Sequence, residues 1–266
     1  MDNTSLTAFR RAEKRVKGLL KPATDLPAAL RSTCVNEELF DVKQTVNGVA
    51  VWRSTRRPGV VLVRGYIGPG EDVEWVKRSV LEYTSMANPS NLDPHYPDLA
   101  ASAATTTSLL QPVAPLSRWD RATRDVFAKL RWVTLGMHYD WTAKVYPEHK
   151  RGAFPAELAE LSKRIAGLCQ YNADYKAEAA IVNYYHVGDS LAGHTDNSEE
   201  NHMAPLISVS LGLSAVFLLG GLTRDVEPDA ILLEHGDVIV MHDDARLSYH
   251  GRSLLCGKRY NDLPFS

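Results

Sequence analysis

His194-Thr195-Asp196 sets an imidazole and a carboxylate two residues apart, so on an extended backbone both side chains project to one side. A second imidazole, His250, follows downstream in a strand-rich stretch. Two histidines and one carboxylate can cover one face of an octahedral cation and leave the other face open, a donor set suited to Fe(II) held together with a cosubstrate and oxygen. The tripeptide alone says little, because nine histidines in 266 residues make an H-x-D common. In isolation His194 and Asp196 read more readily as a turn pair, so the surroundings must carry the inference.

The elements that would position these residues are short strands. Ala180–Tyr185, Leu206–Leu213, Ala215–Leu219, Ile231–Leu233 and Val238–Met241 are apolar runs separated by turn signals such as Gly220-Gly221 and Gly236-Asp237. Many short strands at regular spacing favour a sandwich or barrel, and clustered ligands favour a jelly roll. Upstream, Val60–Val63 reads as a buried strand. From Glu71, residues Val73, Val76, Val80 and Tyr83 fall at helical spacing, with Glu71, Asp72 and Glu74 complementing the helix dipole. Asp125–Trp132 reads as ordered, Val133–Trp141 as a strand, and Pro155–Leu168 as a helix with Leu158, Leu161, Ile165 and Leu168 on one face. Residues 22–58 read as irregular, and residues 87–117, with five prolines, as a long surface loop. The expected fold class is α+β: a double-stranded β-helix (jelly-roll) core buttressed by N-terminal helices. Its expected parts are an N-terminal extension, partly irregular (1–58), a helical and loop buttress with substrate recognition (59–178), and the jelly-roll core with an incomplete C-terminal strand (179–266).

Hydrophobic residues make up 44% of the chain and charged residues 23%, an ordinary globular balance. The net charge of −2 does not announce a nucleic-acid binder, so any such contact must rest on a local patch. Cys34, Cys169 and Cys256 lack C-x-x-C spacing and are odd in number, which predicts reduced thiols rather than a disulfide framework or structural zinc. No apolar run approaches the roughly 20 residues of a membrane span. Phe9–Lys21 carries Arg10, Arg11, Lys14, Arg15, Lys17 and Lys21 against Glu13 alone, which fits either a mitochondrial presequence or a solvated basic helix. The expected location is intracellular, with nucleus, cytoplasm and mitochondrion all open, and no membrane partner. Composition leaves the oligomeric state undetermined.

The run Asn183-Tyr184-Tyr185-His186-Val187-Gly188-Asp189-Ser190-Leu191-Ala192-Gly193-His194-Thr195-Asp196 resembles the AlkB family of Fe(II)- and 2-oxoglutarate-dependent dioxygenases, in which an Asn-x-Tyr strand precedes the H-x-D. Residues 131–136, His138-Tyr139-Asp140-Trp141, 205–210 and 216–222 narrow it to the eukaryotic AlkB homologue one group, and the likeness covers roughly residues 60–250. The resemblance implies that His194, Asp196 and His250 bind Fe(II) and that Asn183 and Tyr185 hydrogen-bond 2-oxoglutarate. It also implies that His138, Tyr139 and Trp141 lie near a substrate nucleotide, where aromatic faces can stack on an extruded base. With O₂ as the second cosubstrate, the implied reaction couples decarboxylation of 2-oxoglutarate to hydroxylation of an N-methyl group. The hemiaminal collapses to formaldehyde and demethylated base. The implied substrate is RNA (tRNA) or DNA carrying N-methylated bases, with methyladenine foremost.

One departure stands out. The family closes its cosubstrate site with two arginines six residues apart, and Arg259-Tyr260-Asn261 begins that pattern, but Phe265 occupies the second position. Arg259 is the expected guanidinium for the distal carboxylate of 2-oxoglutarate, with Arg252 as the fallback. Truncation, alternative splicing or a weakened cosubstrate site would each account for the difference. Two further readings stand beside the demethylase: a protein hydroxylase or demethylase of the same chemistry acting on a basic tail, and a nucleic-acid-binding homologue without a full cosubstrate site. His186, His202, His235 and His242 read as ordinary histidines, although His242 competes with His250. Tyr139 and Trp141 read about equally well as core aromatics. The basic clusters 149–151 and 163–164 read as solvated faces.

Overall fold

Asn47 and Gly48 both take positive φ, 49° and 81°, the geometry of a two-residue hairpin turn. They join Val42–Val46 (β1) to Val49–Arg53 (β2), paired antiparallel from Val46↔Val49 to Val42↔Arg53. The expectation that residues 22–58 are irregular fails for residues 42–53, while residues 22–33 and 35 lie outside the described residues. Lys43, Gln44 and Thr45 of β1 face water, so the strand lacks the apolar run that marks its neighbours, and the Asn-Gly pair is the surviving signal.

The computed structural model describes residues 6–19, 34, 36–85, 87–95, 121–171 and 174–254. By internal contact the chain forms two units, one of residues 1–68, 165–173 and 186–266, the other of residues 69–164 and 174–185.

The first unit holds two antiparallel sheets. One runs β1-β2-β3-β10-β7, where β3 is Val60–Val63, β7 is Leu206–Val209 and β10 is Val238–Met241. The other runs β6-β11-β8-β9, where β6 is Ser190–His194, β8 is Ala215–Leu219, β9 is Asp229–Leu233 and β11 is His250–Leu254. Val60, Leu62, Ile239 and Met241 of the first sheet share one cluster with Phe217, Leu219, Ile231 and Leu233 of the second. Alternate residues of each strand thus point inward and the sheets face each other, the jelly-roll core expected.

The intervening residues of β8, Val216 and Leu218, turn outward with Ala230 and meet Phe9, Ala12 and Val16 of helix α1, Ala8–Leu19. Strand β8 therefore has no wet side, which is why its sequence is apolar without alternation. Helix α1 buries positions 8, 9, 12, 13 and 16, while Arg10, Arg11, Lys14, Arg15 and Lys17 stay exposed. Asn36–Leu39 (α2) is a single turn whose Leu39 joins the inner cluster. Cys34 is partly buried and Cys169 buried; desolvation lifts their thiols to about 11 and about 12, in keeping with inert reduced thiols. Cys256 lies outside the described residues.

In the second unit, Trp132–Gly136 (β4) pairs with Ala179–Asn183 (β5). Strand β4 stops short of the expected Trp141 and the chain leaves it at Gly136. Helix Glu71–Lys77 (α3) runs on into a π-helical turn, Arg78–Glu82. Arg121–Lys129 (α4) precedes β4, and Ala156–Leu168 (α5), whose residues from Ile165 on count with the first unit, matches its periodic leucines. Most of the expected proline-rich loop lies outside the described residues, but its start is ordered: Ser90 is buried, bridges to Val133, and donates its hydroxyl to Asp93.

Candidate metal centre

Strands β6 and β11 set the two imidazoles opposite one another. His194 and His250 are Cα partners in this antiparallel pair, and His250 also faces Leu219 of β8, an inner-cluster residue. Directly opposed residues share a face, so both rings lie on the inner side of the four-stranded sheet. The His250 ring stacks on Phe217 at 5.6 Å and its centroid is 4.4 Å from that of His194. Asp196, two residues beyond His194, has Oδ1 3.5 Å from His194 Nε2 and Oδ2 3.5 Å from His250 Nε2.

The ring nitrogens have divided roles. His194 Nδ1 donates to the Ala192 carbonyl at 2.9 Å, and His250 Nδ1 to the Ser248 carbonyl at 3.1 Å. A carbonyl accepts only a protonated nitrogen, so both Nε2 atoms keep free lone pairs. These two nitrogens and one carboxylate oxygen lie within 4.8 Å of one another, the metal-sized donor set among the described residues. Unprotonated nitrogens aimed at a shared carboxylate, with orientation fixed by backbone acceptors, fit a divalent first-row cation.

Electrostatics reinforce that fit. Burial, then the neighbouring His250, depress the His194 imidazole below its ordinary range, against the Ala192 carbonyl and the Asp196 carboxylate. Burial pushes Asp196 upward, but His250 and His194, whenever they carry a second proton, and Arg246 outweigh it and hold the carboxyl below its usual value. Near neutral pH this gives a neutral imidazole and an ionised carboxylate, the forms that ligate.

Two supporting residues were not legible in the sequence. Arg246, 4% exposed, donates to the Asp196 carbonyl at 2.6 Å, to the Ala204 carbonyl at 3.0 Å and to Glu199 Oε2 at 3.2 Å. It thereby folds the segment beyond His194 around one guanidinium, and its only sequence mark is its place four residues before His250. Gly251 lies where the β6–β11 register shifts: His250 faces His194 but Arg252 faces Leu191, so β6 carries one extra residue. A Cβ at 251 would come within 2.9 Å of the Leu191 carbonyl oxygen and 3.1 Å of the Gly193 nitrogen.

Of the residues singled out from sequence, His194, Asp196 and His250 come together in the first unit. His242 does not join them, since its Nδ1 pairs with Asp243 at 2.8 Å. His186 lies 3.3 Å from Asp189, and His235 accepts the Gly212 N–H. Asn183 ends β5 opposite Trp132, exposed, with half-buried Tyr185 two residues on; both belong to the second unit. So do His138, Tyr139 and Trp141. His138 is buried, its Nδ1 3.0 Å from the Thr134 hydroxyl, and burial lowers its pKa. Trp141 is 49% exposed and meets Tyr139 edge-on at 4.8 Å and Trp132 at 5.0 Å, while Tyr146 is 5.1 Å from Tyr139. Trp132 and Tyr146 thus extend an aromatic group of which sequence reasoning found half. Arg252 sits on the His250 face of β11, a guanidinium nitrogen 3.5 Å from Ser210 Oγ. Arg259 lies outside the described residues.

Comparison with known proteins gives a consistent picture. The family model described as "2OG-Fe(II) oxygenase superfamily" matches residues 59–254. Nucleic acid dioxygenase ALKBH1 of Homo sapiens is 39% identical over 197 residues, 73% of this chain and 49% of that protein. DNA N(6)-methyladenine demethylase ALKBH1A of Arabidopsis thaliana is 31% identical, over 94% of this chain and 85% of its own length. The tRNA demethylase abh1 of Schizosaccharomyces pombe is likewise 31% identical, over 91% of this chain and 83% of its own length. The chain spans about half the length of its human and mouse relatives. Among solved structures, "The structure of OsALKBH1" superposes with a TM-score of 0.52 at 19% identity, covering 75% of this chain and 86% of that one, a likeness of fold.

Proposed function

The chain belongs to the AlkB family within the 2OG-Fe(II) oxygenase superfamily, and on that premise we propose that it is an oxidative demethylase of N-methylated bases in nucleic acid. The observation that carries the proposal is the convergence of two lone-pair-bearing Nε2 atoms and the Asp196 carboxylate within 4.8 Å. Relatives named for DNA N(6)-methyladenine, tRNA and RNA demethylation support the substrate class, methyladenine in RNA or DNA.

In this reading His194, Asp196 and His250 hold Fe(II). Bound there, Fe(II) supplies the redox chemistry that couples 2-oxoglutarate and O₂ to hydroxylation of an N-methyl group. The protein's own residues do the rest. The Ala192 and Ser248 carbonyls hold each Nδ1 proton, so the ligating nitrogens stay unprotonated. Phe217 backs the His250 ring and keeps that side dry. Arg246 orients the Asp196 backbone. Asn183 and Tyr185 offer an amide and a phenol to 2-oxoglutarate, with the Arg259 or Arg252 guanidinium for its distal carboxylate. Tyr139 and the half-exposed Trp141 offer faces to an unstacked base, and the resemblance assigns His138 to the same role. The hydroxymethyl product sheds formaldehyde.

The test is anaerobic Fe(II) titration, followed by assay of succinate and formaldehyde after adding 2-oxoglutarate, O₂ and N-methylated RNA or DNA oligonucleotides. Stoichiometric succinate and formaldehyde from a methylated oligonucleotide are expected. Full iron occupancy without turnover on any methylated base would overturn the catalytic reading.

A further inference from the structure

Gly193, immediately before His194, has both backbone polar groups taken by side chains remote in sequence. Its N–H donates to Glu13 Oε1 at 2.6 Å, and its carbonyl accepts from the Arg224 guanidinium at 3.0 Å. Glu13 is 6% exposed, a carboxylate on the face of α1 that otherwise buries Ala8, Phe9, Ala12 and Val16. Burying a carboxylate among apolar side chains is costly unless it accepts strong hydrogen bonds. Its other oxygen pairs with half-exposed Arg10 at 2.6 Å, an ordinary i,i+3 pair that leaves Oε1 for Gly193.

The same contact is keyed by shape. A Cβ at Gly193 would lie 2.3 Å from the Phe9 ring, and one at Gly220 would lie 3.0 Å from it, so Phe9 fills the space that two absent side chains leave. The Phe9 N–H donates to the Arg224 carbonyl at 2.9 Å, so Arg224 holds both the start of α1 and Gly193. Strand β6 is the edge of its sheet, with β11 as its ladder partner, and its register slips by one residue beside His194. An edge strand at a bulge is the backbone most free to shift. Here α1 grips it on the residue preceding a metal donor.

We propose that Glu13 is a positioning residue for His194: by accepting the Gly193 N–H it fixes the backbone from which the His194 ring reaches the cation. The inference rests on the reading of His194, Asp196 and His250 as the Fe(II) donors. The test is Co(II) and anaerobic Fe(II) affinity in the full chain and in four variants, alongside urea unfolding of each metal-free protein. Glu13→Gln, which keeps an acceptor at the same reach, should bind within about threefold of the parent. Glu13→Leu should lose about tenfold or more, as expected when an outer hydrogen-bond partner of a ligand is removed, with an altered Co(II) visible spectrum. Val16→Ala loosens α1 without touching Gly193 and should leave affinity unchanged. Should Glu13→Leu not fold, Glu13→Asp, one methylene too short, makes the same comparison. Equal affinity in the parent and Glu13→Leu, or an equal loss in Val16→Ala, overturns the inference. A parent chain that takes up no metal overturns the reading beneath it instead.

Discussion

Arg246 places a buried guanidinium among the Asp196 carbonyl, the Ala204 carbonyl and the Glu199 carboxylate. Arg246→Met leaves these acceptors without their donor and should cost about 2–3 kcal/mol of stability, discounted because Glu199 is partly exposed. Arg246→Lys should recover less than half, since a point charge cannot span three acceptors. Urea unfolding of the metal-free protein checks both, and an unchanged midpoint for Arg246→Met would contradict the clamp. Asp140 is held by a separate set of donors. Its hydrogen bond to Lys150, then the N–H groups of Ala143 and Thr142, bring its carboxyl down to about 2. A depressed carboxylate stabilises the turn above its unfolded pKa and loses that contribution as pH falls, so the turn should loosen between about pH 4 and pH 2. Carbon NMR titration of Asp140 should give a midpoint near 2, and one near 4 would refute the assignment. His194, Asp196 and His250, the proposed metal donors, could be singled out because the run Asn183–Asp196 resembles a family motif, the H-x-D alone being too common to mark them. Arg246 and Glu13 could not, because their partners are chosen only when distant segments meet.

Among the elements, strands buried on both faces announced themselves. Val60–Val63, Ala215–Leu219 and Val238–Met241 are found at the boundaries their apolar runs imply. Strand β1 did not, because its side chains are mostly wet and its partner's are mixed. Helix α1 was legible as a basic amphipathic segment, but not its docking on β8, since periodicity marks an apolar face without naming what covers it. The most sensitive joint at this scale is the β6–β11 bulge. Gly251→Ala introduces a Cβ against the Leu191 carbonyl and the Gly193 nitrogen, both backbone atoms with little room to yield. It should cost roughly 1–3 kcal/mol by overpacking and weaken metal binding as well. Parallel urea and Co(II) titrations measure the two effects, and wild-type values in both would show that the strands tolerate the extra carbon.

For the molecule as a whole, a cation bound only by the folded chain should raise its stability. At a free metal concentration 100 times Kd the gain is about 2.7 kcal/mol, or roughly 5–10 °C in Tm for a chain of this size. Differential scanning fluorimetry with Mn(II) or Co(II) should show that rise, and a chelator or His250→Ala should abolish it. No rise in the parent chain would argue against the donor set. Strand spacing made a sandwich or barrel readable and the clustered ligand residues narrowed it to a jelly roll, whereas the grouping of residues into two units follows from tertiary contact that no local pattern encodes. His194 and His250 also stand face to face across a single strand pair. If β6 annealed one step out of alignment, most of its ladder could re-form, yet the first imidazole would swing to the opposite side of the sheet. Such a mispaired chain would look folded to circular dichroism while having no affinity for iron, so cation uptake reports the fidelity of strand alignment.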